Sequence, residues 1–276
     1  MLKGSKGSFL SFRQIIPQYD GIPEVPQQRS SQVPKLIWSL WDTGIENAPT
    51  MQSTCLWSQR AANPTFEARQ LDLQSAINMT NVLSLISKDS WDNMTIQAKS
   101  DVIRVVLLHK YGGVWADATL CMVEGLKHWL RMDTDFTTFI RHDKKATESK
   151  IKPWMSSWFM VSRPGGVVIT ALLDAVIKFW NESKERRPVA YFWIHELFSN
   201  VMSSNSTAIR DAFDHRTAIS ADPFHCLGTD PSLLPEDLPM FKIESCNKKL
   251  RASVLKRIRD LYGDPKEITH VHVQRQ

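Results

Sequence analysis

The strongest hydrophobic pattern lies in residues 100–121, where an apolar helix-like stretch is followed by two glycines and an apolar strand-like stretch. Ser100 stands where a helix N-cap would stand, and Asp101 follows it, where a negative charge suits the positive end of the helix dipole. Gly112 and Gly113 permit the backbone angles that stop a helix and turn the chain sharply. The pattern therefore predicts a capped helix, a tight turn and a strand.

The strand after the turn, predicted over residues 114–120, has two different sides because the side chains of a strand alternate. One side carries small apolar residues: Val114, Ala116 and Ala118. The other side carries an aromatic ring, a carboxylate and a hydroxyl, from Trp115, Asp117 and Thr119. The first set predicts a buried sheet face, and the second indicates a functional site.

Strand-like apolar segments alternate with helix-like segments over most of the chain. The other strand candidates are residues 35–41, 66–73, 136–141 and 154–161. The other helix candidates are residues 49–62, 75–87, 167–180, 188–202 and 248–261. This alternation predicts an α/β fold whose strands are joined by crossover connections. Residues 1–34 are rich in Pro, Gln and Ser, which predicts an extended arm before a single domain over residues 35–276.

Composition and charge exclude some classes of protein. With 42% hydrophobic and 23% charged residues, the chain has the composition of a globular protein. The formal net charge of +5 is mild, and the basic residues are spread out, so we expect no nucleic-acid partner. No stretch approaches the ~18 apolar residues of a membrane span, and no apolar run follows Lys3 and Lys6 as it would in a secretory signal.

The four cysteines are scattered along the chain: Cys55, Cys121, Cys226 and Cys246. No two have the spacing of a metal site, and the set does not resemble a disulfide framework. The sequence therefore predicts a protein of the reducing cytoplasm.

Asp101 and Arg104 are three residues apart and so share one face of the predicted helix. A carboxylate can accept hydrogen bonds from two hydroxyl groups, and a guanidinium donates in a fixed fork. The pair could therefore hold a sugar, or it could be a structural ion pair at the start of a helix. Spacing alone leaves both interpretations open.

The whole stretch resembles the capsular polysaccharide synthesis family of glycosyltransferases. That family is similar to the fungal Golgi initiating mannosyltransferases and, more distantly, to the large glucosylating toxins. The shared pattern is Asp-x-x-Arg, an apolar run, Tyr-Gly-Gly, an aromatic residue and an Asp-x-Asp-like end. It is matched in order and spacing by Asp101, Arg104, Tyr111, Gly112, Gly113, Trp115 and Asp117. The chain departs at the second acid, where it has Thr119.

The resemblance implies a GT-A type nucleotide-diphospho-sugar transferase fold, with a mixed, mainly parallel sheet flanked by helices. Residues 35–125 would form the donor-binding half and residues 126–276 the acceptor-side half. The implied activity moves a hexose from a UDP- or GDP-sugar to a saccharide or lipid-linked acceptor, with retention of the anomeric configuration, in capsule or O-antigen synthesis. The alternative is a nucleotide-sugar-binding protein that has lost turnover with the second acid.

The resemblance also assigns roles to residues on the donor side. Catalytic roles fall to Asp101, Arg104 and Asp117, and donor contacts to Trp38, Trp41, Tyr111, Gly112, Gly113, Trp115, Asp117 and Thr119. The tryptophans are equally well explained as core residues. A Mn²⁺ or Mg²⁺ ion is expected at Asp117, with Thr119 as a weaker ligand. We expect His270, His272 or Asp222 to complete the coordination sphere, a hypothesis prompted by the missing carboxylate.

Tyr191, His195 and Glu196 stand where related enzymes place acceptor-side residues. A histidine there could take the proton of the acceptor hydroxyl, although a satisfied core histidine is the commoner case. The basic amphipathic helix over residues 248–261 suits either packing on the domain or peripheral contact with anionic lipid at the inner face of the plasma membrane.

Overall fold

The computed structural model describes residues 32–140, 155–182, 191–204, 206–213, 238–243 and 248–263. The strands are β1 (Leu36–Leu40), β2 (Glu67–Leu71), β3 (Gly113–Ala116), β4 (Leu120–Met122), β5 (Phe136–Ile140), β6 (Met155–Ser162) and β7 (Met240–Lys242). The helices are α1 (Thr50–Ala61), α2 (Leu73–Thr80), α3 (Lys88–Asp92), α4 (Ile96–Tyr111), α5 (Val167–Glu182), α6 (Trp193–Met202), α7 (Thr207–Ala212) and α8 (Lys248–Tyr262). The predicted arm lies almost entirely outside these residues.

Five strands form a mixed sheet in the order β2-β1-β3-β6-β5, and β4 pairs with β7 in a second, two-stranded sheet. β1 runs parallel to both β2 and β3, whereas β6 runs antiparallel to both β3 and β5. The predicted α/β fold is confirmed, and a mixed sheet flanked by helices is consistent with the GT-A type. The sheet is evenly mixed rather than mainly parallel.

The sheet is buried on both faces, as expected when crossover helices cover it. Trp38, Trp115 and Met160 lie in a core with α4, α5 and α6, while Val114 and Ala116 lie in a second core on the opposite face. The predicted buried face of β3 is therefore confirmed. Trp115, on the other side, is equally buried because α4 packs over it.

The start of α4 differs from the prediction. Thr95 caps the helix, and its side chain accepts a hydrogen bond from the amide of Ala98. The cap thus lies at position 95 rather than 100, five residues earlier than expected, and Ser100 lies within the helix. Asp101 and Arg104 consequently project from the second and third turns rather than from the first, where the dipole argument had placed Asp101.

The turn between α4 and β3 depends on two glycines with positive φ, 65° at Gly112 and 101° at Gly113. A Cβ atom on Gly113 would lie 2.8 Å from the carbonyl oxygen of Leu36, so a larger residue would push β3 away from β1. The indole of Trp38 donates to the carbonyl of Gly112 at 2.7 Å. The predicted tight turn is confirmed.

The predicted strand over residues 114–120 is two strands separated by a turn. β3 ends at Ala116, and the amide of Leu120 donates back to the carbonyl of Asp117 at 2.9 Å. The side-chain amide of Gln59 donates to the carbonyls of both Asp117 and Leu120 and closes this turn. Asp117 therefore stands at the carboxyl end of β3, as the sequence indicated, but Thr119 belongs to the turn.

A third core joins α1, β4, β7 and α8. Cys55 and Cys121 form a disulfide within it, with Cα atoms 4.2 Å apart. The four cysteines do not resemble a disulfide framework in sequence, yet this pair is joined, which corrects the interpretation drawn from their spacing. The two cysteines are 66 positions apart in sequence, and spacing along the chain does not show which distant segments pack together.

Candidate active site

Three of the predicted catalytic side chains converge at the carboxyl end of β3. The Nη2 atom of Arg104 lies 3.0 Å from Oδ1 of Asp101 and 3.5 Å from Oδ1 of Asp117. Asp101 and Arg104 meet because residues three apart on a helix share a face. Asp117 reaches them because β3 ends beside that face of α4.

Trp115 forms the floor of this cluster. The guanidinium carbon of Arg104 lies 4.9 Å from the centre of the indole ring, close enough for a cation–π interaction. The indole nitrogen donates to Oδ1 of Asp117 at 2.8 Å. Trp115 is only 1% exposed, so it orients the charged groups from beneath rather than offering an open ring to a ligand.

Arg104 is also held by the backbone. One guanidinium nitrogen donates to the carbonyl oxygen of Ser157 in β6, and Nε donates to the carbonyl of Ser100 at 3.4 Å. Arg104 thus links α4, β6 and the end of β3. Its planar group is fixed in orientation, which is what geometric recognition of a ligand requires.

Lys242 is a site residue that the sequence did not reveal. Its Nζ atom donates to Oδ2 of Asp117 at 2.7 Å and to Oγ1 of Thr119 at 2.6 Å. It comes from β7, which lies far from Asp117 in sequence and pairs with β4. The short run Met240–Lys242 carries no recognised motif, so only the pairing of β4 with β7 identifies this lysine.

The two carboxylates have opposite pKa shifts. Burial raises the pKa of Asp101 to about 6, although the charge of Arg104 and a hydrogen bond from Trp193 of α6 oppose that shift. Burial would also raise the pKa of Asp117, but the charges of Lys242 and then Arg104 outweigh it and lower that pKa to about 2. Asp117 is therefore ionised at neutral pH. The pKa of Asp101 lies nearer to neutral pH than that of Asp117.

Asp117 is the accessible member of the cluster, with 23% of its side chain exposed, compared with 11% for Asp101 and 6% for Arg104. Thr119 and Lys242 are buried behind it. A ligand approaching from solvent would therefore meet Asp117 first. The hollow lined by Asp174, Lys178 and Glu182 on α5 contains no predicted site residue.

The aromatic residues predicted on the donor side occupy different environments. Trp38 is fully buried, lies 5.6 Å from the ring of Tyr111 and belongs to the core. The hydroxyl of Tyr111 donates to the carbonyl of Met79 at 3.0 Å, which anchors α4 to α2. Trp41 is half-buried just after β1. Stacking on a base is thus sterically open to Trp41 but closed to Trp38 in this conformation.

The acceptor-side candidates lie on or next to α6. Tyr191 is 74% exposed and Glu196 is exposed, whereas His195 is buried with its ring 5.2 Å from that of Phe192. The same helix reaches the cluster through Trp193, whose side chain hydrogen-bonds to Asp101. That link places α6 beside the site, and the roles of the three residues remain predictions.

The side chains expected as metal ligands, those of Asp117 and Thr119, already share a partner. Both side chains are engaged by the ammonium group of Lys242, and a divalent ion at the same oxygens would have to displace it. The described residues hold no group of three or more His, Cys, Asp or Glu side chains suited to a metal. His270, His272 and Asp222 lie outside them. Within this part of the chain, the side chains present do not fit a metal ion.

The apolar face of α8 packs on the protein. Leu250, Val254 and Ile258 are fully buried against α1, β4 and β7, so the residues that a lipid surface would have needed are occupied. Leu261, at the end of the helix, is half exposed. No helix in the described ranges is long and apolar enough to cross a bilayer.

Comparison with known proteins identifies the family. A curated relative, Glycosyltransferase afumC of Aspergillus fumigatus, is 27% identical over 160 residues, which cover 53% of this chain and 38% of that protein. The solved structure of PaToxG Glycosyltransferase covers 86% of this chain and 88% of its own at 10% identity, with a TM-score of 0.43, a likeness too distant to bear on function. The family described as capsular polysaccharide synthesis protein matches residues 11–232. This match covers most of the length of the chain. The chain therefore belongs to the capsular polysaccharide synthesis protein family.

Proposed function

We propose that the chain is a glycosyltransferase that takes a sugar from a nucleotide-sugar donor. The observation that supports this most strongly is the convergence of Asp101, Arg104 and Asp117 at the end of β3. An ion pair that merely stabilised α4 would need no second carboxylate from the segment that follows β3. Family membership supports the same activity, as does the name of the curated relative.

The cluster suits recognition of a donor sugar. The carboxylate of Asp101 accepts hydrogen bonds from sugar hydroxyls, while the guanidinium of Arg104 fixes that carboxylate and presents its own donors at a set angle. Asp117, accessible and ionised, accepts from hydroxyls of the ribose or of the sugar. A ligand with adjacent hydroxyls can therefore satisfy two carboxylates whose mutual repulsion Arg104 and Lys242 offset.

In the proposed reaction the acceptor hydroxyl oxygen forms a bond to the anomeric carbon, and the bond from that carbon to the diphosphate oxygen breaks. The bonding electron pair leaves on the phosphate oxygen, which takes the acceptor proton. Attack occurs on the face that the diphosphate leaves, so the configuration is retained. This sequence needs no protein nucleophile; the residues position the donor and stabilise the departing charge.

The finer assignments belong to the same proposal. The donor is a UDP- or GDP-linked hexose, and the acceptor is a saccharide or lipid-linked oligosaccharide of a capsule or O-antigen. Assembly of such acceptors at the cytoplasmic face of a membrane would favour a cytoplasmic, peripheral protein, but the Cys55–Cys121 disulfide and the buried apolar face of α8 count against that location. Family membership supports a role in capsular polysaccharide synthesis, and the nucleotide, the hexose and the O-antigen acceptor follow only from the sequence resemblance.

Donor hydrolysis tests the proposal. We expect the wild type to release nucleoside diphosphate from a UDP- or GDP-sugar, and Asp117→Asn to reduce release by about 100-fold or more. Asp135→Asn is a matched control. Asp135 also pairs with an arginine, Arg163, at 2.6 Å, but its carboxylate accepts from the first backbone amide of α5, outside the site. This variant should lower thermal stability while leaving turnover per folded molecule intact.

A non-catalytic nucleotide-sugar-binding protein is the alternative, favoured by one observation: Thr119 replaces the second acid. The same experiment separates the two functions. Donor binding without release of diphosphate, in the presence and absence of Mn²⁺, would establish the alternative. Equal release by the wild type and Asp117→Asn would contradict the proposed site.

A further inference from the structure

We propose that the ammonium group of Lys242 supplies the positive charge that binds the donor diphosphate, in place of a divalent metal ion. The inference rests on the proposed function, because it identifies what holds the phosphates of the same donor. It also reverses the expectation of Mn²⁺ or Mg²⁺ drawn from the resemblance.

The backbone places Lys242 at the position where a metal ion was expected. In the antiparallel pairing of β4 and β7, Lys242 lies opposite Leu120, and the amide of Ile243 donates to the carbonyl of Thr119 at 3.1 Å. Phe241 and Ile243 are fully buried in the third core. Because side chains alternate along a strand, these two anchors direct Lys242 to the other side, toward the turn after β3.

The contacts of Lys242 duplicate those of a metal ion. Its Nζ atom lies 2.7 Å from Oδ2 of Asp117 and 2.6 Å from Oγ1 of Thr119, the two side chains expected as ligands. The other carboxylate oxygen of Asp117 is engaged by Trp115 and Arg104. A metal ion would lie about 2.1 Å from these oxygens, where it would overlap and repel the ammonium group.

Charge counting explains why threonine suits position 119. Asp101 and Asp117 carry two negative charges, and Arg104 and Lys242 carry two positive charges, so the cluster is balanced. A carboxylate at position 119 would leave one excess negative charge, which would attract a divalent ion. The hydroxyl of Thr119 instead accepts a hydrogen bond from the ammonium group without adding charge.

A lysine ammonium binds phosphate as a point charge with three donors. The ammonium group of Lys242 lies directly behind Asp117. Asp117 is the exposed edge of the cluster, and an incoming diphosphate would arrive at that edge. When the anomeric bond breaks, the electron pair remains on the phosphate oxygen, and the charge of Lys242 stabilises it there. Asp117 then holds the ammonium in place, the task it would otherwise perform for a metal.

Calorimetric titration with UDP and GDP, in EDTA and then with Mn²⁺, tests the inference. We expect the wild type to bind one of them with dissociation constants that agree within about two-fold in the two conditions. Lys242→Met should weaken binding by about 10- to 100-fold and Lys242→Arg should retain most of it. Lys256→Met is the control, because Lys256 pairs with Asp260 on the exposed side of α8.

A double variant keeps the inference testable if Lys242→Met fails to fold. Thr119→Asp combined with Lys242→Ala restores the second acid and removes the ammonium group. This double variant should therefore bind UDP or GDP only when Mn²⁺ is present. Wild-type binding that requires Mn²⁺ would overturn the inference and leave the proposed function standing, as would normal binding by folded Lys242→Met. No binding by the wild type in either condition, together with no donor hydrolysis, would overturn both.

Discussion

Arg104 is the residue on which the geometry of the site depends most. It contacts both carboxylates, stacks on Trp115 and donates to the backbone of β6. Each of these contacts uses the planar fork, which lysine lacks although it keeps the charge. Sequence spacing predicted the pairing with Asp101, and only the fold reveals that the same group also orients Asp117.

Replacing Arg104 by lysine should therefore lower kcat/KM for donor hydrolysis by about 10- to 100-fold, since one charged hydrogen bond contributes about 1.5–3 kcal/mol. The matched control is Arg69→Lys. Arg69 also lies over a tryptophan, 5.2 Å from the ring of Trp38, and pairs with Glu67, but it stands on β2 away from the cluster. An Arg104→Lys variant as active as Arg69→Lys would contradict the assigned role.

The pKa of Asp101 has a consequence for stability. Because its pKa rises from 3.8 to about 6 on folding, the folded state favours the protonated carboxyl. The stabilisation that Asp101 gives the folded state is fully present below its unfolded pKa of 3.8, and it is lost as the pH rises through about 6. Relative to Asp101→Asn, the free energy of unfolding of the wild type should fall by up to about 3 kcal/mol between about pH 4 and pH 7.

Urea unfolding at several pH values measures this difference. The comparison between the two proteins removes the contribution of Asp117, whose lowered pKa acts in the opposite direction at more acidic pH. Parallel curves for the wild type and Asp101→Asn across that interval would show that Asp101 is not held in a low-polarity environment.

At the scale of elements, the decisive unit is α4 with the glycine turn and β3. Their order was readable from the sequence because helical periodicity, paired glycines and strand alternation are local signals. The end of β3 at Ala116 could not be predicted from the sequence, because hydrogen bonds from Gln59 on α1 fix the turn that follows. The cap at Thr95 was also missed, because Ser100 offered an equally good local signal.

Gly113→Ala should destabilise this unit by about 2 kcal/mol, the cost of a strained positive φ together with a clash against the backbone of Leu36. Gly44→Ala is the control: Gly44 also has a positive φ, but an added Cβ would meet only the exposed carboxylate of Glu46, which can move. Thermal unfolding compares the two, and equal losses would show that close packing of β3 on β1 contributes nothing.

At the scale of the whole molecule, the site is assembled from parts distant in sequence. Asp101 and Arg104 come from α4, Asp117 follows β3, and Lys242 arrives on β7. Sequence analysis identified the first three through a motif and missed the fourth, because its position depends on strand pairing across 122 residues, from Leu120 to Lys242. The expectation of a metal ion was drawn from the resemblance alone and took no account of Lys242, whose ammonium group contacts both of the expected side-chain ligands.

The disulfide is the second long-range link, and it joins α1 to β4 behind the site. Closing a loop of this length is expected to stabilise the protein by roughly 2–4 kcal/mol. Reductant should therefore lower the melting temperature of the wild type and leave that of a Cys55→Ser, Cys121→Ser variant unchanged. A wild-type melting temperature insensitive to reductant would mean that these cysteines remain thiols, as the cytoplasmic prediction requires.

The central claim is that the donor binds where Asp101, Arg104, Asp117 and Lys242 meet. A crystal structure with UDP or GDP, grown without divalent metal, tests it most directly. The account requires the diphosphate within hydrogen-bond distance of Nζ of Lys242 and beside the carboxylate of Asp117. A nucleotide bound elsewhere, such as the hollow along α5, or one whose phosphates reach Asp117 only through a metal ion, would contradict it.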